Sequence, residues 1–135
     1  FYGVLNPIEH SMTYANAGHL PPFVLNPRNK TAIPLPRGGT ALGIIEDLSY
    51  VERVLQIEPG CGLVLFTDGI TEAFNKLDLP YSTARYQKIL QRSTALSAGA
   101  ILDAVDGDLE RFRRDVPLSD DITELVIKRL PLLAN

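Results

Sequence analysis

What most constrains this sequence is the order in which its periodicity changes: short strand-like segments fill the first half, helical spacing appears only after residue 80, and one more strand-like segment closes the chain. Phe1 to Leu5 is apolar and stops at the turn signal Asn6-Pro7, and Met12, Tyr14 and Ala15 then lead into Asn16-Ala17-Gly18, which predicts a hairpin. Pro21-Pro22 imposes an extended path, and Phe23 to Leu25 follows as a short strand ended by Asn26-Pro27. Tyr50, Val51, Val54, Leu55 and Ile57 predict a half-buried strand, which Glu58-Pro59-Gly60 turns into the strongest strand of the chain, Leu63 to Phe66. Between these, residues 28–43 carry Pro34, Pro36 and Gly38-Gly39 and read as a mobile or ligand-facing loop. Tyr86, Ile89 and Leu90 share one face of a short helix, and Ile101, Leu102, Val105, Leu109 and Phe112 one face of a longer helix with Ser97 as its N-cap and Pro117 beyond its end. Ile122 to Ile127 reads as a final strand. Strands first and helices late predict an α+β protein with helices packed on an antiparallel sheet, not a regular parallel α/β fold.

Composition narrows what such a fold does. The 135 residues suffice for one core, and 45% apolar against 21% charged residues is the balance of a folded domain. A net charge of −3 with scattered basic residues excludes the footprint of a nucleic-acid binder. Arg111, Arg113 and Arg114 are interrupted by Phe112 and preceded by Asp106, Asp108 and Glu110, a mixture that reads as a solvated helix face. Cys61 stands alone, so neither an intrachain disulfide nor a thiolate zinc site can form from it, and a reducing, cytoplasmic setting is expected. No apolar run is long enough to insert into a membrane. Because Phe1 opens within a strand-like segment, the chain is expected to be a fragment.

Chemistry concentrates at two junctions. The apolar strand runs directly into Thr67-Asp68-Gly69, which puts a carboxylate at a strand end where burial is costly unless the charge is paired or binds a cation. Ser119-Asp120-Asp121-Ile122-Thr123 sets two adjacent carboxylates ahead of the last strand, an arrangement destabilised by repulsion unless a positive charge intervenes. Two strand-end aspartates suit a hard divalent cation, which takes carboxylate and water oxygens. The competing reading is ordinary turn chemistry, since Asp-Gly after a strand is a common turn signal and Asp-Asp serves well in a solvated loop.

Four segments, in this order, carry a resemblance. Tyr14-Ala15-Asn16-Ala17-Gly18-His19-Leu20-Pro21-Pro22, Leu42-Gly43-Ile44, Leu65-Phe66-Thr67-Asp68-Gly69-Ile70-Thr71-Glu72-Ala73 and Asp120-Asp121-Ile122-Thr123 resemble the later motifs of the PPM-type metal-dependent protein serine/threonine phosphatases, in the bacterial branch typified by SpoIIE and RsbU. The resemblance implies an antiparallel β-sandwich flanked by helices, with a binuclear Mn²⁺ or Mg²⁺ centre at one end and Asp68 and Asp120 as metal ligands. It implies hydrolysis of protein phosphoserine or phosphothreonine in bacterial signalling, by metal-activated water without a covalent intermediate, on a phosphorylated protein such as an anti-sigma-factor antagonist. It also implies that residues 1–135 are the C-terminal portion of one such domain. The family's upstream Gly-Asp and Gly-His-Gly motif, whose aspartate bridges the two metals, is absent from this sequence, and so are the strands and helices of that half. The incomplete sandwich is therefore expected to leave apolar surface for another chain or for self-association. The rival reading is a catalytically inactive, PPM-derived binding or regulatory module.

The remaining residues have two readings each. His19 either contacts phosphate or a peripheral metal, or packs beside Pro21 and Pro22 and bonds a loop carbonyl; Asn16 serves the turn backbone. Asp121 either orients water around a metal or is only a ligand's acidic neighbour, and the hydroxyls of Thr67 and Thr123 offer similar support or ordinary strand-edge bonds. Gly69 either presents its backbone to bound water or merely makes the turn, and Glu72 reads as a favourable charge at a helix start.

Overall fold

Two Asn-Pro turns organise the strands. In the computed structural model, which describes residues 1–131, the Asn6 Oδ1 accepts the amides of Ile8 and Glu9 (3.0 and 3.1 Å) and reverses the chain between β1 (Tyr2–Asn6) and β2 (Ser11–Ala15). Asn26 does the same for Arg28 and Asn29 (2.9 and 3.4 Å), between β3 (Phe23–Asn26) and β4 (Thr31–Pro34). Both turns end on a residue in the left-handed region, His10 (φ 53) and Lys30 (φ 52). The strand β4 corrects the reading of residues 28–43 as one loop: four residues suffice to pair with β3, and Pro34 is tolerated at the edge.

Further along the chain come β5 (Glu52–Gln56), β6 (Gly62–Phe66), α1 (Asp68–Thr71), α2 (Thr83–Ser93), α3 (Ala98–Arg113) and β7 (Glu124–Lys128). The strands form two antiparallel sheets, ordered β1-β2-β5 and β4-β3-β6-β7. β5 is mostly exposed: of the residues expected to make it half-buried, Tyr50, Val51 and Ile57 flank the strand, Val54 is exposed and Leu55 alone is partly buried within it. The last strand starts two residues later than its apolar pattern suggested, because Ile122 and Thr123 still belong to the loop.

Both faces of the larger sheet are covered, which is why β6 reads as an unbroken apolar run. Leu63 and Leu65 pack with Val24 and Ile127 against Met12 and Tyr14 of the smaller sheet, making a sandwich. Val64 and Phe66 point the other way, with Phe23 and Leu25, onto Tyr86 and Leu90 of α2 and Ile101, Val105 and Leu109 of α3. The helices take their registers from caps and one clamp. Ser97 accepts the Ala100 amide at the start of α3, and Asp108 accepts from Tyr81 Oη (2.7 Å) and from Arg85 Nε and Nη2 (2.9 and 3.2 Å), joining α2 to α3. The layers are thus sheet, sheet and helices. The outward face of the smaller sheet exposes Tyr2, Val4 and Val54 (73%, 52% and 64%).

Candidate metal centre at the strand ends

β6 and β7 are neighbours, so the loops at their site end lie side by side. Phe66 pairs with Glu124, and beyond that pair Thr67 extends the ladder: its amide donates to Thr123 O (3.0 Å), its hydroxyl accepts the Thr123 amide (3.0 Å) and donates to Asp121 O (3.2 Å). Thr67 remains extended (φ −94°, ψ 161°) and α1 begins at Asp68. Gly69 then passes against the second loop so closely that a Cβ there would lie 2.4 Å from Asp121 O and 3.4 Å from Asp120 O. A glycine is required by the approach of two backbones, independently of φ.

Asp68 and Asp120 therefore sit on adjoining loops. Both are exposed, so the cost of burying a strand-end carboxylate does not arise: the core ends at Phe66, Thr67 is taken up by the inter-loop bonds, and the chain surfaces at Asp68. Asp120 Oδ1 accepts the Asp121 amide (2.7 Å), and neither Asp68 nor Asp120 is in an ion pair among the described residues. Asp121 is also exposed and contributes its carbonyl to the Thr67 hydroxyl. Glu72 closes α1 instead of opening it, its amide donating to Asp68 O (2.8 Å).

Asn16 and His19 form a separate unit. The Asn16 side chain spans the turn, accepting from the His19 amide (2.9 Å) and donating to His19 O (3.0 Å), while Gly39 N donates to Asn16 O (3.0 Å). The His19 ring bonds Leu20 O through Nδ1 (2.6 Å) and lies edge-on to Phe1 at 6.2 Å. Among the described residues no hydrogen bond joins this turn to residues 67–69 or 120–123.

The donor set fits part of a hard-cation site. Among the described residues no group of three or more His, Cys, Asp or Glu side chains is placed to hold a metal. Two carboxylates are nevertheless what Mg²⁺ commonly takes from a protein, the remaining positions going to water and phosphate oxygens.

The titratable group passed over in the sequence is Glu124, the first residue of β7. It shares the helix-facing side of that strand with Val126, and its Oε1 accepts from Tyr86 Oη at 2.6 Å. Burial pushes its carboxyl up to about 7, the Tyr86 bond pulls it down, and the charge of Asp106 adds to the rise. The period of two along β7 placed Glu124 with Val126, so the signal was present.

The Stage II sporulation protein E (SpoIIE) family model matches residues 1–130. The chain belongs to the SpoIIE family. Its curated relatives include the phosphoserine phosphatase RsbU of Bacillus subtilis (strain 168), 33% identical over 132 residues, a match covering 96% of this chain and 38% of RsbU. Among solved structures, the SiaA-PP2C domain of Pseudomonas aeruginosa superposes with TM-score 0.73 at 20% identity, over 90% of this chain and 46% of that one. The Mn-presoaked phosphatase domain of SpoIIE from Bacillus subtilis gives TM-score 0.66 at 17% identity, over 99% of this chain and 57% of that one. These likenesses establish the fold, and this SpoIIE-family chain spans between about two-fifths and three-fifths of each of the three.

Proposed function

We propose that residues 1–135 are the C-terminal portion of a phosphatase domain that hydrolyses phosphoserine or phosphothreonine in a protein substrate. The observation that carries this reading is the locked pair of loops at the ends of β6 and β7, where three hydrogen bonds and an obligatory glycine set Asp68 beside the Asp120 loop. Asp68 and Asp120 would hold Mg²⁺ or Mn²⁺, with further ligands from outside this chain. When bound, the cation supplies Lewis-acid chemistry, acidifying coordinated water and drawing charge from phosphoryl oxygens. The chain's own part is to fix the two carboxylates: Thr67 ties the loops together and Gly69 permits their approach. The Asp121 amide, bonded to Asp120 Oδ1, leaves that carboxylate's other oxygen for the cation. The exposure of Asp68 and Asp120 leaves room for a phosphorylated side chain on a folded protein. Similarity to the phosphoserine phosphatase RsbU supports a phosphoserine substrate, and the motif resemblance implies a phosphorylated anti-sigma-factor antagonist acted on in the cytoplasm. No helix of the described residues is long and apolar enough to cross a membrane.

The rival reading is a PPM-derived module that binds without catalysis. Turnover of a phosphoserine peptide by the full-length protein with Mn²⁺ separates the two. Asp68→Asn and Asp120→Asn are each expected to lower kcat by about 100-fold or more and to weaken Mn²⁺ binding in calorimetry, since each removes a charged ligand. Full metal-dependent turnover by both variants would overturn the ligand assignment. A wild-type protein with neither turnover nor Mn²⁺ binding would overturn the phosphatase reading.

A further inference from the structure

Helix α2 carries Arg85, Lys88 and Arg92 and no acidic residue, in a chain whose net charge is −3. Arg85 is committed to Asp108. Lys88 and Arg92 are exposed, and no ion pair engages them among the described residues. They lie one turn apart, a spacing at which like charges repel. Both border a groove of about 580 Å³ whose opposite wall is the β3–β4 turn, with Pro27 and the similarly unpaired Lys30. Gln91 and Thr94 add polar lining, and among the described residues no carboxylate lines the groove.

The walls are fixed without a ligand. Gln87 Nε2 donates to Ala32 O (2.7 Å), tying α2 to β4, and Asn26 holds the turn that positions Lys30. The groove also lies at the opposite end of the sandwich from the candidate metal centre. In the β3–β6 register Leu25 opposes Gly62 and Phe23 opposes Val64, so Pro27 lies past the start of β6 and Asp68 past its finish. The intervening strand spans roughly 17 Å at about 3.4 Å per residue.

We propose that this groove docks an acidic segment of a partner protein, engaged by Lys30, Lys88 and Arg92. Charge complementarity selects the occupant: three cations without counter-ions among the described residues border one groove in an otherwise acidic chain. The volume selects a segment, because about 580 Å³ lies in the range that holds a ligand of many atoms and far exceeds one phosphate or carboxylate. The site is independent of the phosphatase reading.

Fluorescence anisotropy of a labelled oligoglutamate peptide with the full-length protein tests it. The peptide is expected to bind, and more weakly as NaCl rises from about 50 to about 300 mM, as screening requires. K88Q/R92Q is expected to weaken binding by about fivefold, the effect of losing two exposed ion pairs, whereas R37Q/R53Q, with the same charge loss elsewhere, should change it less than about twofold. Lys30→Gly weakens binding further, while glycine suits the left-handed backbone there and preserves the turn. The proposal is overturned if the unaltered protein does not bind the peptide, if the two double variants lose affinity equally, or if millimolar inorganic phosphate displaces the peptide completely, which would make the groove a small-anion site.

Discussion

At the scale of single residues, Gly69 and Glu124 allow the sharpest tests. A methyl group at position 69 would collide with a backbone carbonyl that is itself held by the Thr67 hydroxyl, so relief requires the two loops to part. Gly69→Ala is expected to lower unfolding free energy by about 1–3 kcal/mol in denaturant titrations, the range for forced overpacking. Gly99→Ala, in α3 with nothing near its would-be Cβ, should raise it by about 0.5 kcal/mol through the unfolded chain's entropy. Glu124 predicts a pH dependence. Its carboxyl is raised from an ordinary 4.5 to about 7, so the folded state holds the proton more tightly than the unfolded one. The associated stability is complete below pH 4.5, is lost as pH rises towards 7, and is absent above. Glu124→Gln, neutral throughout and still able to accept from Tyr86, should flatten that slope and exceed the wild type by on the order of 1–3 kcal/mol at pH 8. Parallel wild-type and variant curves between pH 4.5 and 8 would remove Glu124 as the cause.

At the scale of elements, legibility followed the length of the pattern. The sixteen residues of α3 announced both their buried face and the Ser97 cap, and β6 announced itself by being apolar on both sides. The strand β4 did not, although its turn is the same device as the one before β2: Asn26-Pro27 repeats Asn6-Pro7, with the same side-chain bonds and the same left-handed residue at the end. Four residues with Pro34 and two exposed side chains present too little alternation to be seen, and what makes them a strand is β3 alongside. The candidate site was legible as two motifs. Their adjacency came only from the family resemblance, because it depends on β6 and β7 being neighbours across more than fifty intervening residues, and no local pattern encodes that pairing. The exposure of Asp68 is hidden for a similar reason: apolar residues before it indicate where the strand is buried, but the point of emergence is decided by Thr67, whose amide and hydroxyl bond across to the second loop.

For the whole molecule, the uneven covering of the two sheets decides how the chain behaves in isolation. The larger sheet is enclosed between the smaller sheet and α2 and α3, but the outer side of the smaller sheet presents Tyr2, Val4 and Val54 to solvent. The register sets Val4 opposite Thr13 and Thr13 opposite Val54, so the two valines lie in one row across three strands, with Tyr2 beside them across from Ala15. An exposed row of two valines and a tyrosine, joined across Thr13 and flanked by two edge strands, is a surface from which association starts. Residues 1–135 produced alone are therefore expected to sediment as a concentration-dependent mixture heavier than the 14.8 kDa monomer. V4K/V54K should shift the distribution to monomer without lowering the unfolding midpoint, because both side chains already face solvent. Sedimentation velocity over a hundredfold concentration range checks this. A wild-type chain monomeric throughout would mean that the stripe is too small to drive association, and an oligomer unchanged by V4K/V54K would place the contact on another face.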